Sequence, residues 1–141
     1  MKIVKRYVGV LVKHNDSVLL CKRNNKGSLP GVWSIPAGKL EDGESPMNGA
    51  KREFYEETNL KLENKLSLVG FVTRSNRDGS YNKGLMYVFQ MDTDKRINPD
   101  LKNASDGEEH TECGYFNLEN LPIEDKNDQL YKLIVKILTQ K

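Results

Sequence analysis

Residues 38–60, GKLEDGESPMNGAKREFYEETNL, read as a turn, a helix and a stop, and the rest of the chain has to be built around them. The Gly/Asp/Glu run at the start is turn-forming. Ser45 and Pro46 then suit an N-cap and a first helical position, because Pro has no N–H to lose there and its φ is already helical. From Pro46 to about Thr58 only Gly49 opposes a helix. Asn59 suits the left-handed position that ends one, and Leu60 can fold back as the apolar closing contact.

On a helix that turns about 100° per residue, Glu53, Glu56 and Glu57 share one arc. Met47, Ala50 and Phe54 fall on the neighbouring arc, which is the one expected to be buried. Carboxylates one turn apart have Cβ atoms roughly 5–6 Å from each other, so two or three can bind one divalent ion, and without a cation they repel. Oxygen ligands with no His or Cys nearby suit Mg²⁺ or Mn²⁺ rather than Zn²⁺. A bare acidic arc of this kind is also what an ordinary solvated helix face looks like. The wider spacing separates the two readings. Gly38 is followed after five residues by Glu44, and after seven more by Arg52-Glu53. Phe54, one residue, Glu56-Glu57, one residue, and Asn59-Leu60 complete the run.

That pattern resembles the Nudix box, the loop–helix–loop motif of the Nudix hydrolases. It departs from the box at Asn59, where the family has Gly. The departure is mild, since Asn tolerates a positive φ at modest cost. Gly31–Gly38 resembles the family's lead-in, with Ala37 replacing one Gly and Trp33 expected to pack the loop rather than stack on a base.

At 141 residues, 37% hydrophobic and 30% charged, the chain is expected to form a single domain over 1–141. A net charge of +2 is too small to argue for a nucleic-acid or membrane partner. Its distribution says more. Residues 38–60 hold three basic and six acidic side chains, a balance of −3, leaving +5 for the remainder. An acidic metal pocket in a basic surround suits a polyanionic substrate. No stretch reads as a signal peptide or as an apolar run long enough to span a bilayer. Cys21 and Cys113 lack metal-type spacing and are expected to be separate buried or half-buried thiols in a reducing compartment, by default the cytoplasm.

Along the rest of the chain, Lys2–Lys13 and Val18–Arg23 are expected to form a hairpin around His14–Ser17, and Asn24–Pro30 a loop. Gly31–Gly38 is expected to form a short strand leading into the box. Lys65–Arg74 alternates as a strand with Leu66, Leu68, Gly70 and Val72 on one side. Ser75–Lys83 carries the Asp-Gly signal of a hairpin tip, and Gly84–Met91 returns. Asp92–Gly107 lacks periodicity and is a long loop of the kind that tends to be functional. Glu108–Asn117 is a further strand. Asp128–Gln140 is an amphipathic helix whose Leu130, Leu133, Ile134, Ile137 and Leu138 should pack in the core. By themselves these elements say only α/β or α+β; the resemblance implies an α/β/α sandwich around a mixed sheet.

The resemblance also implies a chemistry, metal-dependent hydrolysis of phosphoanhydrides with Mg²⁺ (or Mn²⁺) as cofactor. Glu53, Glu56 and Glu57 would be metal ligands, joined by the Gly38 carbonyl, with Arg52 orienting the carboxylates and pairing with Glu44. The missing side chain of Gly49 would leave room beside the metals or serve close packing. In the segment EHTECGYF, Glu109 lies six residues before Tyr115, as a late Glu lies before an aromatic in the family. This makes Glu109 an added ligand or base, with Glu112 or Glu108 as alternatives, and His110 is read as structural. Arg23, at the end of its strand, could reach a substrate phosphate or simply solubilise the surface; Lys39 is the second candidate for substrate binding. The expected partner is a small-molecule nucleotide: a nucleoside triphosphate, ADP-ribose or a dinucleotide. An RNA 5′ end is the one nucleic-acid exception. Neither the Pro typical of many ADP-ribose pyrophosphatases nor the Tyr of many dinucleoside polyphosphate hydrolases stands at its expected place downstream. The alternative to an enzyme is a nucleotide-binding Nudix domain without turnover, and the chain is expected to be a monomer or homodimer.

Overall fold

Strand β1 (Lys5–His14) is buried almost continuously from Val8 to Val12, the pattern of a strand covered on both faces. Val8, Val10 and Val12 point into one apolar cluster and Leu11 into the other, so β1 divides two half-cores. A tight turn with Asn15 at φ 53° leads to β2 (Ser17–Arg23). β3 (Trp33–Ser34), β4 (Ala37–Lys39), helix α1 (Pro46–Thr58), β5 (Ser67–Arg74), β6 (Gly84–Asp92), β7 (His110–Phe116) and helix α2 (Gln129–Thr139) follow. A 3-10 turn, Gly107–Glu109, precedes β7.

The computed structural model describes residues 5–24, 31–62, 64–74 and 84–140. The hairpin tip expected over Ser75–Lys83, most of the loop over Asn24–Pro30 and the first residues of the first strand lie outside the described residues. So does the side chain of Glu108.

The sheet runs β3-β2-β1-β6-β5, with β4 also on β1 and β7 also on β2. The β1–β6 pair is parallel and the others are antiparallel, so the sheet is mixed. Ala50 and Phe54 of α1 join the Val8 cluster, and Leu130, Ile134 and Ile137 of α2 join the Leu11 cluster on the opposite face. This is the expected α/β/α sandwich. Leu133 and Leu138 pack half-buried against the same cluster, so the whole stripe is core.

The local signals of α1 hold. The Ser45 hydroxyl accepts the Asn48 N–H at 3.2 Å, Pro46 opens the helix, and Asn59 takes φ 60° with its N–H on the Tyr55 carbonyl at 2.8 Å. Met47 is the exception on the apolar arc, at 40% exposed.

Three expectations need correction. Gly31–Gly38 does not make one strand; β3 and β4 are separate short strands paired to β2 and β1 respectively, with the Pro36 carbonyl between them accepting the Val10 N–H at 3.0 Å. The alternation of β5 also breaks. Its register to β6 shifts between Leu68 and Gly70, so Leu66 packs with α1 and Val72 with α2, leaving Leu68 48% exposed. The cysteines are not separate thiols. Cys21 and Cys113 are register partners on β2 and β7, their Cα atoms 4.0 Å apart, and they form a disulfide. The bonded pair removes the thiol argument for a reducing compartment. No helix among the described residues is long and apolar enough to cross a membrane.

Candidate active site

Arg52 is the hub of the site. Its Nε and Nη2 donate to the two oxygens of Glu44 at 2.8 and 3.0 Å, and Nη2 also donates to the Lys39 carbonyl at 3.0 Å. The fork-on-carboxylate geometry ties the turn before α1 to the helix, and the guanidinium holds the Glu44 carboxyl below its ordinary range. Nη1 reaches forward to Glu53 Oε1 at 2.9 Å and Glu56 Oε2 at 3.1 Å. Gly49 contributes to the same junction. A Cβ there would come within 2.6 Å of Leu40 Cδ1 and 2.9 Å of Glu44 Oε1, so its small size serves the packing of turn on helix.

Glu53 lies against the backbone of Gly38, where any Cβ would overlap its carboxyl group. Burial lifts the Glu53 pKa to about 7 against the Arg52 hydrogen bond, with the neighbouring Glu57 and Glu56 charges adding to the rise. Glu57 is fully buried. Its Oε1 accepts the Ala37 N–H at 3.4 Å and meets His110 Nε2 at 2.6 Å, while its Oε2 has no partner. Burial, then the charge of Glu109, pushes Glu57 up to about 9; burial, then Arg23, pushes His110 down to about 4.

The long loop closes the site from the C-terminal end of the helix. Tyr115 of β7 holds it through Ile97, accepting the N–H at 2.8 Å and donating to the carbonyl at 3.0 Å. Asp100 N–H then caps the Thr58 carbonyl at 2.8 Å, and Asp106 N–H binds the Glu56 carbonyl at 2.7 Å. Two groups of ligand atoms result, each within 4.8 Å of one another: Glu53, Glu56 and Asp106, and Glu57, Glu109 and His110. Oxygen donors dominate both, and a buried carboxyl oxygen without a donor is an acceptor left for a cation. The residues present fit a hard divalent ion.

Gly38, Arg52, Glu53, Glu56, Glu57 and Glu109 thus lie near one another. Arg23 ends β2 opposite His110 in register, and its charge is felt by Glu57 and His110. Lys39 borders the site through its carbonyl, with its side chain exposed. Glu112 pairs with Lys22 inside β7 and is not part of either ligand group. Trp33 packs edge-to-face on Phe116, ring centres 5.0 Å apart, consistent with a packing role. Two residues of these groups are not among the site residues expected from the sequence. Asp106 sits in an aperiodic loop with no signal of its own. His110 was set aside as structural, although it adjoins Glu109.

The shifted groups predict a pH dependence for the metal-free protein. A carboxyl whose folded pKa lies above its unfolded value holds more protons when folded, so its contribution to stability falls as pH rises. His110 acts in the opposite sense only between about 4 and 6.5. Above 6.5 the Glu53 and Glu57 contributions stand alone, up to about 9. Calorimetry in EDTA should therefore give a melting temperature that declines from pH 6.5 to 9; a flat or rising trend would contradict the burial of these carboxyls.

Comparison with known proteins identifies the domain. A family model described as the NUDIX domain matches residues 4–136. An RNA pyrophosphohydrolase from Bartonella bacilliformis is 26% identical over 137 residues, covering 84% of this chain and 80% of that protein. An ADP-ribose pyrophosphatase from Methanocaldococcus jannaschii is 32% identical over 114 residues, covering 81% of this chain but only 62% of its own length. Among solved structures, a MutT NUDIX hydrolase from Burkholderia pseudomallei superposes with a TM-score of 0.78 at 20% identity, over 96% of this chain and 99% of the other.

Proposed function

Because this chain belongs to the Nudix hydrolase family, we propose that it is a divalent-metal-dependent pyrophosphohydrolase that cleaves the phosphoanhydride of a nucleoside diphosphate linked to another moiety. The observation that carries the reading is the fully buried Glu57 with an unpartnered Oε2, one turn from Glu53 and beside Glu109. Such a carboxyl is costly to bury unless a cation completes it.

Bound at these carboxylates, Mg²⁺ or Mn²⁺ supplies Lewis-acid stabilisation of phosphate charge and lowers the pKa of a bound water. The chain's own residues do the rest. Glu53, Glu56 and Glu57, with the Gly38 carbonyl, hold the cations. Arg52 fixes Glu53 and Glu56 on one side and Glu44 on the other, so the carboxylates keep their spacing when the net charge of the site changes. Glu109, exposed at the end of the 3-10 turn, serves as an added ligand or as the base that takes the proton of the attacking water. Asp106 extends the Glu53–Glu56 group. Arg23, close enough for its charge to act on Glu57, neutralises a substrate phosphate, and Lys39 does so from the rim. The excess of positive charge outside residues 38–60 draws the polyanion in.

The relatives named above are, by name, an ADP-ribose pyrophosphatase and an RNA pyrophosphohydrolase, and a diphosphate is the group that this site would take from either kind of compound. A panel of nucleoside triphosphates, ADP-ribose, dinucleoside polyphosphates and 5′-triphosphorylated RNA, incubated with Mg²⁺ or Mn²⁺, should yield phosphate or nucleotide products from at least one class. If every compound returns intact, the chain is a binding domain without turnover. RNA cleaved with the small nucleotides left untouched would shift the substrate to the RNA 5′ end.

A further inference from the structure

His110 and Glu57 make a short polar contact inside the site. Nε2 stands 2.6 Å from Oε1, and both side chains are shielded from solvent. One proton must lie between the two atoms at that distance. A carboxylate oxygen can only accept, so in this contact Nε2 is the donor to Oε1. Oε1 thereby has its donors, from His110 and from Ala37 N–H, and Oε2 has none. The asymmetry decides which oxygen is left for a ligand.

His110 is well placed to impose this orientation. It opens β7 as the register partner of Arg23, and the neighbouring Glu109 carbonyl accepts the Asn24 N–H at 2.8 Å. Three residues further on, Cys113 is bonded to Cys21 of β2. The imidazole therefore stands on a strand anchored on both sides of it, whereas Glu57 stands on a helix and could otherwise turn about its own side-chain bonds. An outer partner that fixes a ligand's orientation is a recurring feature of metal sites.

We propose that His110 is a positioning residue, which grips Oε1 of Glu57 and presents Oε2 to the divalent cation. The inference rests on the metal-dependent reading above and adds to it a residue outside residues 38–60.

Mn²⁺ binding to wild type, His110→Gln and His110→Asn, read from the free-ion EPR signal, tests it. Gln places an amide N–H near the Nε2 position and should keep most of the affinity. Asn keeps a polar amide in the slot but ends short of Glu57, and should weaken Mn²⁺ binding by about 10–100-fold. A purely structural role would lower the melting temperature of His110→Asn and leave Mn²⁺ affinity unchanged, and that result overturns the proposal. Pulsed EPR of wild type needs no variant: a directly coordinated imidazole nitrogen would make His110 a ligand itself and overturn it equally. Wild type that binds no Mn²⁺ defeats the metal reading beneath; wild type and His110→Asn that bind equally defeat only the positioning role.

Discussion

Glu57→Gln is expected to lower kcat by on the order of 10²-fold or more at saturating metal, the loss of a few kcal/mol of transition-state stabilisation. The substitution is close to isosteric. A Gln oxygen can still accept from His110 and Ala37 N–H, so the buried contacts of Oε1 survive. What disappears is the negative charge. In the metal-free protein that charge has a cost, since burial raises the Glu57 pKa to about 9. The variant should therefore melt no lower than wild type at alkaline pH in EDTA, while losing turnover. Activity and stability moving in opposite directions would mark Glu57 as a group retained for chemistry. Turnover at the wild-type level would remove it from the mechanism.

Chelation should have the larger effect. In excess EDTA, turnover of any substrate found by the panel is expected to fall below detection, and added Mg²⁺ or Mn²⁺ should restore it. Arg52 donates to both Glu53 and Glu56, and its guanidinium is already shared with Glu44 and the Lys39 carbonyl. That guanidinium is committed to holding the carboxylates, so the positive charge that sets a diphosphate against them is expected to come from the cation. Restoration should be better at alkaline pH than at neutral pH, because Glu53 and Glu57 must release their protons before they can bind the ion. Full turnover under chelation would mean that the carboxylates act as bare acids and bases.

The helix and its arc of carboxylates were legible because both are local. Ser45, Pro46 and Asn59 act on their immediate neighbours, and the spacing of Glu53, Glu56 and Glu57 becomes a direction in space as soon as the residues are helical. The Arg52–Glu44 tie was legible only through the resemblance, although just the N-cap and the start of the helix lie between the two. The sandwich was legible only through the resemblance, because a list of strands does not say which pair.

Contacts between distant segments were decided by the tertiary structure. Cys21 and Cys113 are 92 residues apart, and a slip of one residue between β2 and β7 would turn one of them to the other face. The same pairing delivers His110 to Glu57 and Glu109 to the edge of the carboxylate group. Asp106 arrives because Tyr115 pins a loop that has no periodicity to read. The shift in β5 that exposes Leu68 likewise leaves no mark on an alternating sequence. By itself, then, the sequence determined a box helix with three carboxylates on one face, because helical geometry converts spacing into position. Which oxygen of Glu57 is held, which is left open and what stands opposite it were decided only when β2, β7 and the long loop closed over the helix, because strand register and loop path depend on the packing of the whole chain.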